Sequence, residues 1–364
     1  MRIEEIEVFW LRLELPDAVA DAMTDLTHWD VIATRVTTDD GIIGWGYNCT
    51  LAEGSAALKI LIEVDLAPKL LGKDPLQVNH LWRTVYLERH FTGITGIAVQ
   101  GVAAPEIALW DIIAKAAGKP LWAILGGHGV TRVPVYSTDG GWLGFSEAEL
   151  VANARTVKAA GFRGFKMKVG KPEIAEDCQR LAAVRDAVGP DYPVMIDANG
   201  RWDLAEARRA VRRFADYRPY WLEEPLHPFD VPAHAALARE TEIPILAGET
   251  LYDKHMFRDF MAAGALGIAQ PDVLKLGGIT CWMEVAELAR SFGLPVVPAG
   301  FNLMQIDVHL MAVTRHGLMI EYIPWLAPIF ERPVVIDRGH AVVPQEPGIG
   351  TDIRADAIER YGMA

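Results

Sequence analysis

The 364-residue chain contains only three cysteines, Cys49, Cys178 and Cys281. They are far apart and odd in number, which excludes a disulfide framework and the paired spacing of a zinc site. A reducing cytoplasm is the expected setting. Long apolar runs are missing too. None approaches the ~18–20 residues that span a bilayer, and the opening Met1-Arg2-Ile3-Glu4-Glu5 carries no signal-peptide apolar region. Cations are in deficit: 35 Lys and Arg face 48 Asp and Glu, a formal net charge of −13. That balance argues against nucleic acid or an anionic membrane as the main partner. It leaves room for an anionic substrate in a locally cationic cleft. No segment is of low complexity.

What is present is enough for a large core, since 51% of residues are hydrophobic. The length predicts a large barrel plus an extra domain. Residues 1–60 read as strands. Ile3, Ile6, Val8 and Trp10 mark the first, and Val31–Thr38, an Asp40-Gly41 turn and Ile42–Tyr47 make a hairpin. Residues 55–72, 75–89 and 99–118 read as helices, the last stopped by Gly118 and Pro120. Strands followed by helices indicate an α+β domain, and Gly126-Gly127 marks its end. Beyond residue 130 the rhythm changes. Eight short apolar strands begin near Val133, Gly164, Pro193, Tyr220, Ile245, Gly267, Pro295 and Leu318, with amphipathic stretches between most of them. Eight such units predict a closed parallel α/β barrel. The expected division is 1–127, a barrel over 128–330, and a segment over 331–364 that packs back outside it.

Four of these strands end in an acid, at Asp197, Glu223, Glu249 and Asp272, at intervals of 26, 26 and 23 residues. Lys166 and Lys168 lie one strand upstream. Side chains at i and i+2 of a strand share a face, so both lysines point into the barrel mouth, and Asp197 and Asn199 share a side. In Glu223-Glu224-Pro225 the same rule separates the acids and makes Glu223 the inward one. A single acid at such a position is usually a helix cap or a solvated charge. Three in register, Asp197, Glu223 and Glu249, suit Mg²⁺ or Mn²⁺, and the absence of His or Cys among them argues against zinc. Lys168, nearer the strand end, is the candidate base. Lys166 is expected to face a substrate carboxylate. A second ammonium and a nearby dication are both expected to lower the lysine pKa from ~10.4.

Lys166-Met167-Lys168, Asp197-Ala198-Asn199, Glu223-Glu224-Pro225, Gly248-Glu249-Thr250 and Gln270-Pro271-Asp272, followed by Gly277-Gly278-Ile279-Thr280, resemble the enolase superfamily. Within it they resemble the mandelate racemase/muconate lactonizing enzyme family, mandelate racemase subgroup. Ala108-Leu109-Trp110-Asp111 through Leu125-Gly126-Gly127 resembles the end of that family's capping domain. The likeness covers essentially the whole chain. It implies a modified TIM barrel, (β/α)7β, with an N-terminal α+β capping domain. It also implies Mg²⁺ on Asp197, Glu223 and Glu249, and Lys168 as a base acting α to a carboxylate. Glu321, at the eighth strand end, matches a family acid that hydrogen-bonds a substrate carboxylate oxygen. Dimers or octamers are the expected assemblies.

One residue of the pattern is missing. In the subgroup the acid at Asp272 pairs with a histidine at the end of the seventh strand. Here that position falls on Ala299, with Asn302 the nearest polar alternative. His309 reads as a core or helix histidine, and Lys275 as a surface residue or a neighbour of the site. With a convincing base on one face only, racemisation is disfavoured. The substrate read from this pattern is a hydroxylated carboxylate, an acid sugar. Dehydration to a 2-keto-3-deoxy acid comes first, cycloisomerisation of a lactone or anhydro-sugar acid second, and epimerisation third. A non-catalytic member keeping a structural metal site is the competing class, and the lysine pair argues against it. Substrate contacts are expected from the Thr24–Trp29 loop with His28, from His90-Phe91-Thr92-Gly93, and from Tyr136, Trp142, Asn199 and Asn302.

Overall fold

The computed structural model describes residues 1–51, 53–91, 93–300 and 304–363, with the backbone alone at 16–18. Its N-terminal part is an antiparallel sheet of β1 (Ile3–Ala20), β2 (Asp25–Thr38) and β3 (Ile43–Thr50), in that order. The β2–β3 connection is the expected tight turn, with Gly41 at φ 84. β2 begins at Asp25, so Thr24–Trp29 is mostly strand and not the loop the sequence suggested. Helices follow: α1 (Ser55–Ile60), continued by a π-helical stretch over Leu61–Leu66, then α2 (Val78–Leu87) and α3 (Ile97–Ala116).

α3 lies directly on the sheet. Gly44 and Gly46 of β3 let it approach, because a Cβ at either would collide with the carbonyl oxygens of Ala108 and Ala104. By length and composition α3 is apolar enough to cross a membrane, which the sequence reading had not anticipated. The physical reason is its position. Sheet on one side and helices on the other bury most of its surface, so apolar residues occupy nearly every face.

The barrel strands are β4 (Arg132–Ser137), β5 (Phe165–Lys168), β6 (Val194–Asp197), β7 (Leu222–Glu223), β8 (Ile245–Ala247), β9 (Ile268–Ala269) and β10 (Ile320–Tyr322). They run parallel in sequence order, and β10 pairs with β4 to close the ring. The seventh strand shrinks to Val296, which bridges Ala269 and Gly317. Helices α4 (Glu147–Ala159), α5 (Ile174–Val188), α6 (Leu204–Phe214), α7 (Val231–Ala238), α8 (Lys254–Ala262), α9 (Ile279–Ser291) and α10 (Met304–Val313) alternate with the strands. The result is a (β/α)7β barrel.

Alternation along the strands sorts the core. Phe165, Met167, Val194, Ile196 and Leu222 pack outward against helices. Tyr136, Met195, Trp221, Leu246, Ile268, Val297 and Met319 fill the barrel's interior. Several links tie the N-terminal part and the last residues to the rest. Glu106 on α3 accepts the backbone N–H groups of Ile279 (2.8 Å) and Thr280 (2.9 Å) at the start of α9. Beyond the barrel, His340–Val342 pairs antiparallel with β4, the Ile349 N–H donates to Asp111 (2.7 Å), and the Thr351 hydroxyl donates to the Trp45 carbonyl (2.6 Å).

Candidate active site at the barrel mouth

β5 puts both lysines inside the ring, in register with β6: Lys166 lies beside Met195, and Lys168 beside Asp197. Both are nearly fully buried. The Lys168 ammonium donates to Asp197 Oδ2 at 2.6 Å. The Lys166 ammonium lies 2.8 Å from Glu223 Oε1, 2.9 Å from Glu321 Oε1 and 3.3 Å from Asp197 Oδ2. Thr138 Oγ1 also donates to Glu321, and Gln270 Nε2 donates to Glu223 Oε1 at 2.7 Å. Glu321 fits against the barrel wall because Gly300 has no side chain; a Cβ there would overlap its carboxylate.

The electrostatics follow from this packing. Burial opposes charge on Asp197, but Lys168 and Lys166 outweigh it and hold the carboxyl below its usual range. Burial, then Asp197, push Glu223 up to about 7. Burial and the neighbouring Glu224, Glu223 and Asp197 drive Glu249 well above a normal carboxyl. The lysines depart from expectation. Burial lowers both, and Lys166 lowers Lys168, yet the surrounding carboxylates win and both ammonium groups are raised. The sequence argument counted cations and left out the acids they touch.

Glu224 is the residue the alternation rule misplaced. β7 ends at Glu223, and Glu224 then takes φ 36, so strand periodicity no longer applies to it. It turns inward, is buried, accepts from Thr250 Oγ1 at 2.7 Å and is pushed by burial up to about 7. The positive φ has no signature in a Glu-Glu-Pro string, so the sequence offered little warning. Gln270 and Thr138 were also missed as site residues.

Two adjoining clefts open above this network. The inner one, about 40 Å³, is lined by Lys166, Lys168, Trp142, Glu321 and Thr138 among others. The outer one, about 680 Å³, is bounded by Asp272, Lys275, Glu224 and Thr250 of the barrel and by Asp21–Asp25, Cys49–Leu51 and Gln100 from the N-terminal part. Asn199, Glu249 and Trp29 line both. Asn199 has φ 47, and its backbone N–H donates to Asp197 Oδ1 at 3.0 Å. Trp142 stacks on Trp325 at 5.2 Å and lies 5.5 Å from the Lys168 ammonium.

Other expected contacts do not reach the clefts. Tyr136 is fully buried in the interior plug, edge-on to Trp221 at 5.3 Å, with the Lys166 ammonium 5.8 Å from its ring. On β2, alternation sends Trp29 to the clefts and His28 to the other face, where its Nδ1 meets Thr27 Oγ1 at 3.2 Å. His90 is exposed and hydrogen-bonds the carbonyl of Leu87, the last residue of α2, at 3.0 Å. His309 is a buried core histidine between the Trp122 N–H and the Ile349 carbonyl. Lys275, read as a surface lysine or a neighbour of the site, lines the outer cleft. Asn302 lies outside the described residues.

Asp272 stands three residues beyond β9. Its Oδ1 accepts the Leu274 N–H at 2.7 Å, and its Oδ2 has no hydrogen-bond partner among the described residues. Burial pushes its carboxyl up to about 6, against Lys275. Ala299 is fully buried and offers no acid or base.

Among the described residues no three His, Cys, Asp or Glu side chains close into a ready-made metal cage. The lysine ammonium groups bridge Asp197 and Glu223 instead. The donor chemistry still fits a hard divalent cation: Asp197, Glu223 and Glu249 offer only oxygen, and their mutual repulsion in a buried space is what a dication relieves.

A capped (β/α)7β barrel with two buried lysines facing strand-end carboxylates defines the enolase-superfamily class. The model for the mandelate racemase/muconate lactonizing enzyme N-terminal domain matches residues 4–126, and that for the enolase C-terminal domain-like fold matches 149–357. The chain belongs to this family. It is 33% identical to a 3,6-anhydro-alpha-L-galactonate cycloisomerase of Streptomyces coelicolor, covering 99% of each chain. It is 32% identical to an L-talarate/galactarate dehydratase of Salmonella typhimurium, covering 98% of this chain and 90% of that one. A crystal structure of a racemase from Streptomyces coelicolor with bound magnesium superposes with TM-score 0.95 at 32% identity, covering 99% of this chain and 100% of that one.

Proposed function

We propose that the protein is a Mg²⁺-dependent lyase that removes the proton α to the carboxylate of an acid sugar and expels the β-oxygen, giving a 2-keto-3-deoxy acid. The observation that carries this is the buried lysine pair on β5, which faces acids from three other strands. Two ammonium groups held this close serve no packing purpose.

In this reading Lys168, beside Trp142 at the inner cleft, takes the α-proton. Lys166 and Glu321, joined at 2.9 Å, hold one carboxylate oxygen of the substrate. Asn199 lines the passage between the clefts and orients a hydroxyl. Asp272, whose Oδ2 has no hydrogen-bond partner among the described residues, is the group that gives a proton to the leaving oxygen. Asp197, Glu223 and Glu249 would hold the cation, with Glu224 beside Glu249. Bound there, Mg²⁺ (or Mn²⁺) would supply positive charge that offsets the negative charge left by proton removal. Trp29 and the turn at Asp21–Asp25 cover the substrate from the N-terminal side.

Cycloisomerisation is the second reading, favoured by the full-length similarity to the anhydro-galactonate enzyme. It uses the same proton abstraction, with a ring oxygen leaving in place of hydroxide. We also read residues 1–127 as the cap, 128–330 as the barrel and 331–364 as the returning segment. A cytoplasmic homo-oligomer, dimer or octamer, is the assembly we infer from the family and the unpaired cysteines. The test is incubation with Mg²⁺ and a panel of acid sugars and anhydro-sugar acids. Formation of 2-keto acid supports the reading. A panel that yields neither 2-keto acid nor solvent deuterium at the α-carbon supports the non-catalytic class instead.

A further inference from the structure

A third cleft, of about 440 Å³, lies outside the site just described. It runs along the outer wall of the barrel, from the loops that follow β5 and β6 down the exposed face of α6. Its lining brings together Lys171, Arg201, Arg209, Arg212 and Arg213, with the buried Trp202 beside them. Two acids, Glu173 and Glu206, are also in the wall. One is already engaged: Glu206 closes the helix cap by accepting the Asp203 N–H at 3.1 Å.

This grouping runs against the rest of the molecule. The chain carries a net charge of −13, yet five cations share one cleft. Arg209 and Arg212 are spaced i, i+3 on α6, and Arg209 and Arg213 are spaced i, i+4. Like charges at that spacing repel and weaken the helix. Nearby acids could have relieved the repulsion, as they do for a fourth arginine: Arg208 on the same helix donates to Glu240 at 2.9 Å. Among the described residues Arg201, Arg209, Arg212 and Arg213 form no ion pair, and Lys171 has only Glu176 at 3.4 Å. The cleft is concave, with the edge of the buried Trp202 at its base.

We propose that this cleft binds a small, multiply charged phosphate-type anion. Arginine forks match phosphate oxygens two at a time and stay charged at any working pH. Five cations against two carboxylates leave an excess suited to a di- or trianion rather than a single carboxylate. The occupant would also lie behind the mouth of the barrel. The Arg201 stem would be 3.4 Å from a Cβ at Gly170, and Ala22 of the β1–β2 turn 2.8 Å from it. Binding there would hold the β5 and β6 loops against the turn that covers the active site.

The test is titration calorimetry of the full-length protein with inorganic pyrophosphate and with inorganic phosphate, sodium chloride holding ionic strength constant. The expected result is saturable binding, tighter for pyrophosphate. Arg209→Ala/Arg213→Ala should weaken it at least about tenfold, with the α-proton chemistry at the barrel mouth intact. Circular dichroism and sedimentation on the same variant guard against misfolding. Heat that does not saturate, or saturable binding that survives the double substitution, would overturn the proposal. So would a change of oligomeric state in the variant without any phosphate binding, which would mark the patch as a contact with an acidic protein surface.

Discussion

The two walls of the active site are built on opposite principles. On the β5–β7 wall the two lysines meet their counter-charges. Lys166 touches Glu223 and Glu321, Lys168 touches Asp197, and the network is buried. On the facing wall Asp272 Oδ2 has no hydrogen-bond partner among the described residues, and Ala299 occupies the position where the subgroup pattern has a histidine. In the proposed reading, that difference confines proton abstraction to one face. A racemase needs an acid/base on each side of the α-carbon. This site has a lysine pair on one side and, among the described residues, the carboxyl of Asp272 on the other.

The comparison can be broken or sharpened by perturbing each wall in turn. Stripping divalent cation should abolish turnover, and Mg²⁺ should restore it; turnover that persists in a chelator would remove the metal from the account. Lys168→Met should lower kcat by ~10²–10⁴-fold, the usual contribution of a positioned base. Asp272→Asn should cost less, about 10²-fold, the low end of that range. Its carboxyl is held at about 6. As a proton donor it works in its protonated form, so the wild-type rate should fall as pH rises through that value, and the asparagine variant should lack this limb. A pH–rate profile of both proteins checks the sign. Gly300→Ala should push Glu321 away from Lys166, and misplacement on that scale costs on the order of 10-fold to 10²-fold. Replacing His28 and His90 together should leave kcat/KM unchanged, because neither reaches the clefts.

Both walls were partly legible in the sequence, the lysines and Asp197 on one and Asp272 with Ala299 in the histidine's place on the other. Strand alternation placed Lys166, Lys168 and Asp197 correctly, because a buried parallel strand keeps a strict period of two and its register carries to the next strand. The rule failed where strands end. Glu224 leaves β7 through a positive φ and turns inward. Tyr136 has the right alternation but the wrong height, one layer below the lysines in the plug. His28 was read as part of a loop, and once its segment proved to be strand the same period of two assigned the pocket to Trp29. The lysine pKa direction was missed for another reason. It depends on which carboxylates touch the ammonium groups, a property of distance that residue spacing does not carry.

The most direct test of the one-sided account is proton NMR of an acid-sugar substrate in D₂O with Mg²⁺, followed with wild-type protein and with Lys168→Met. The account predicts loss of the α-proton signal with wild type, no accumulation of the epimer, and an α-proton that persists with the variant. Epimer formation by wild type, or α-proton loss with Lys168→Met, would contradict it.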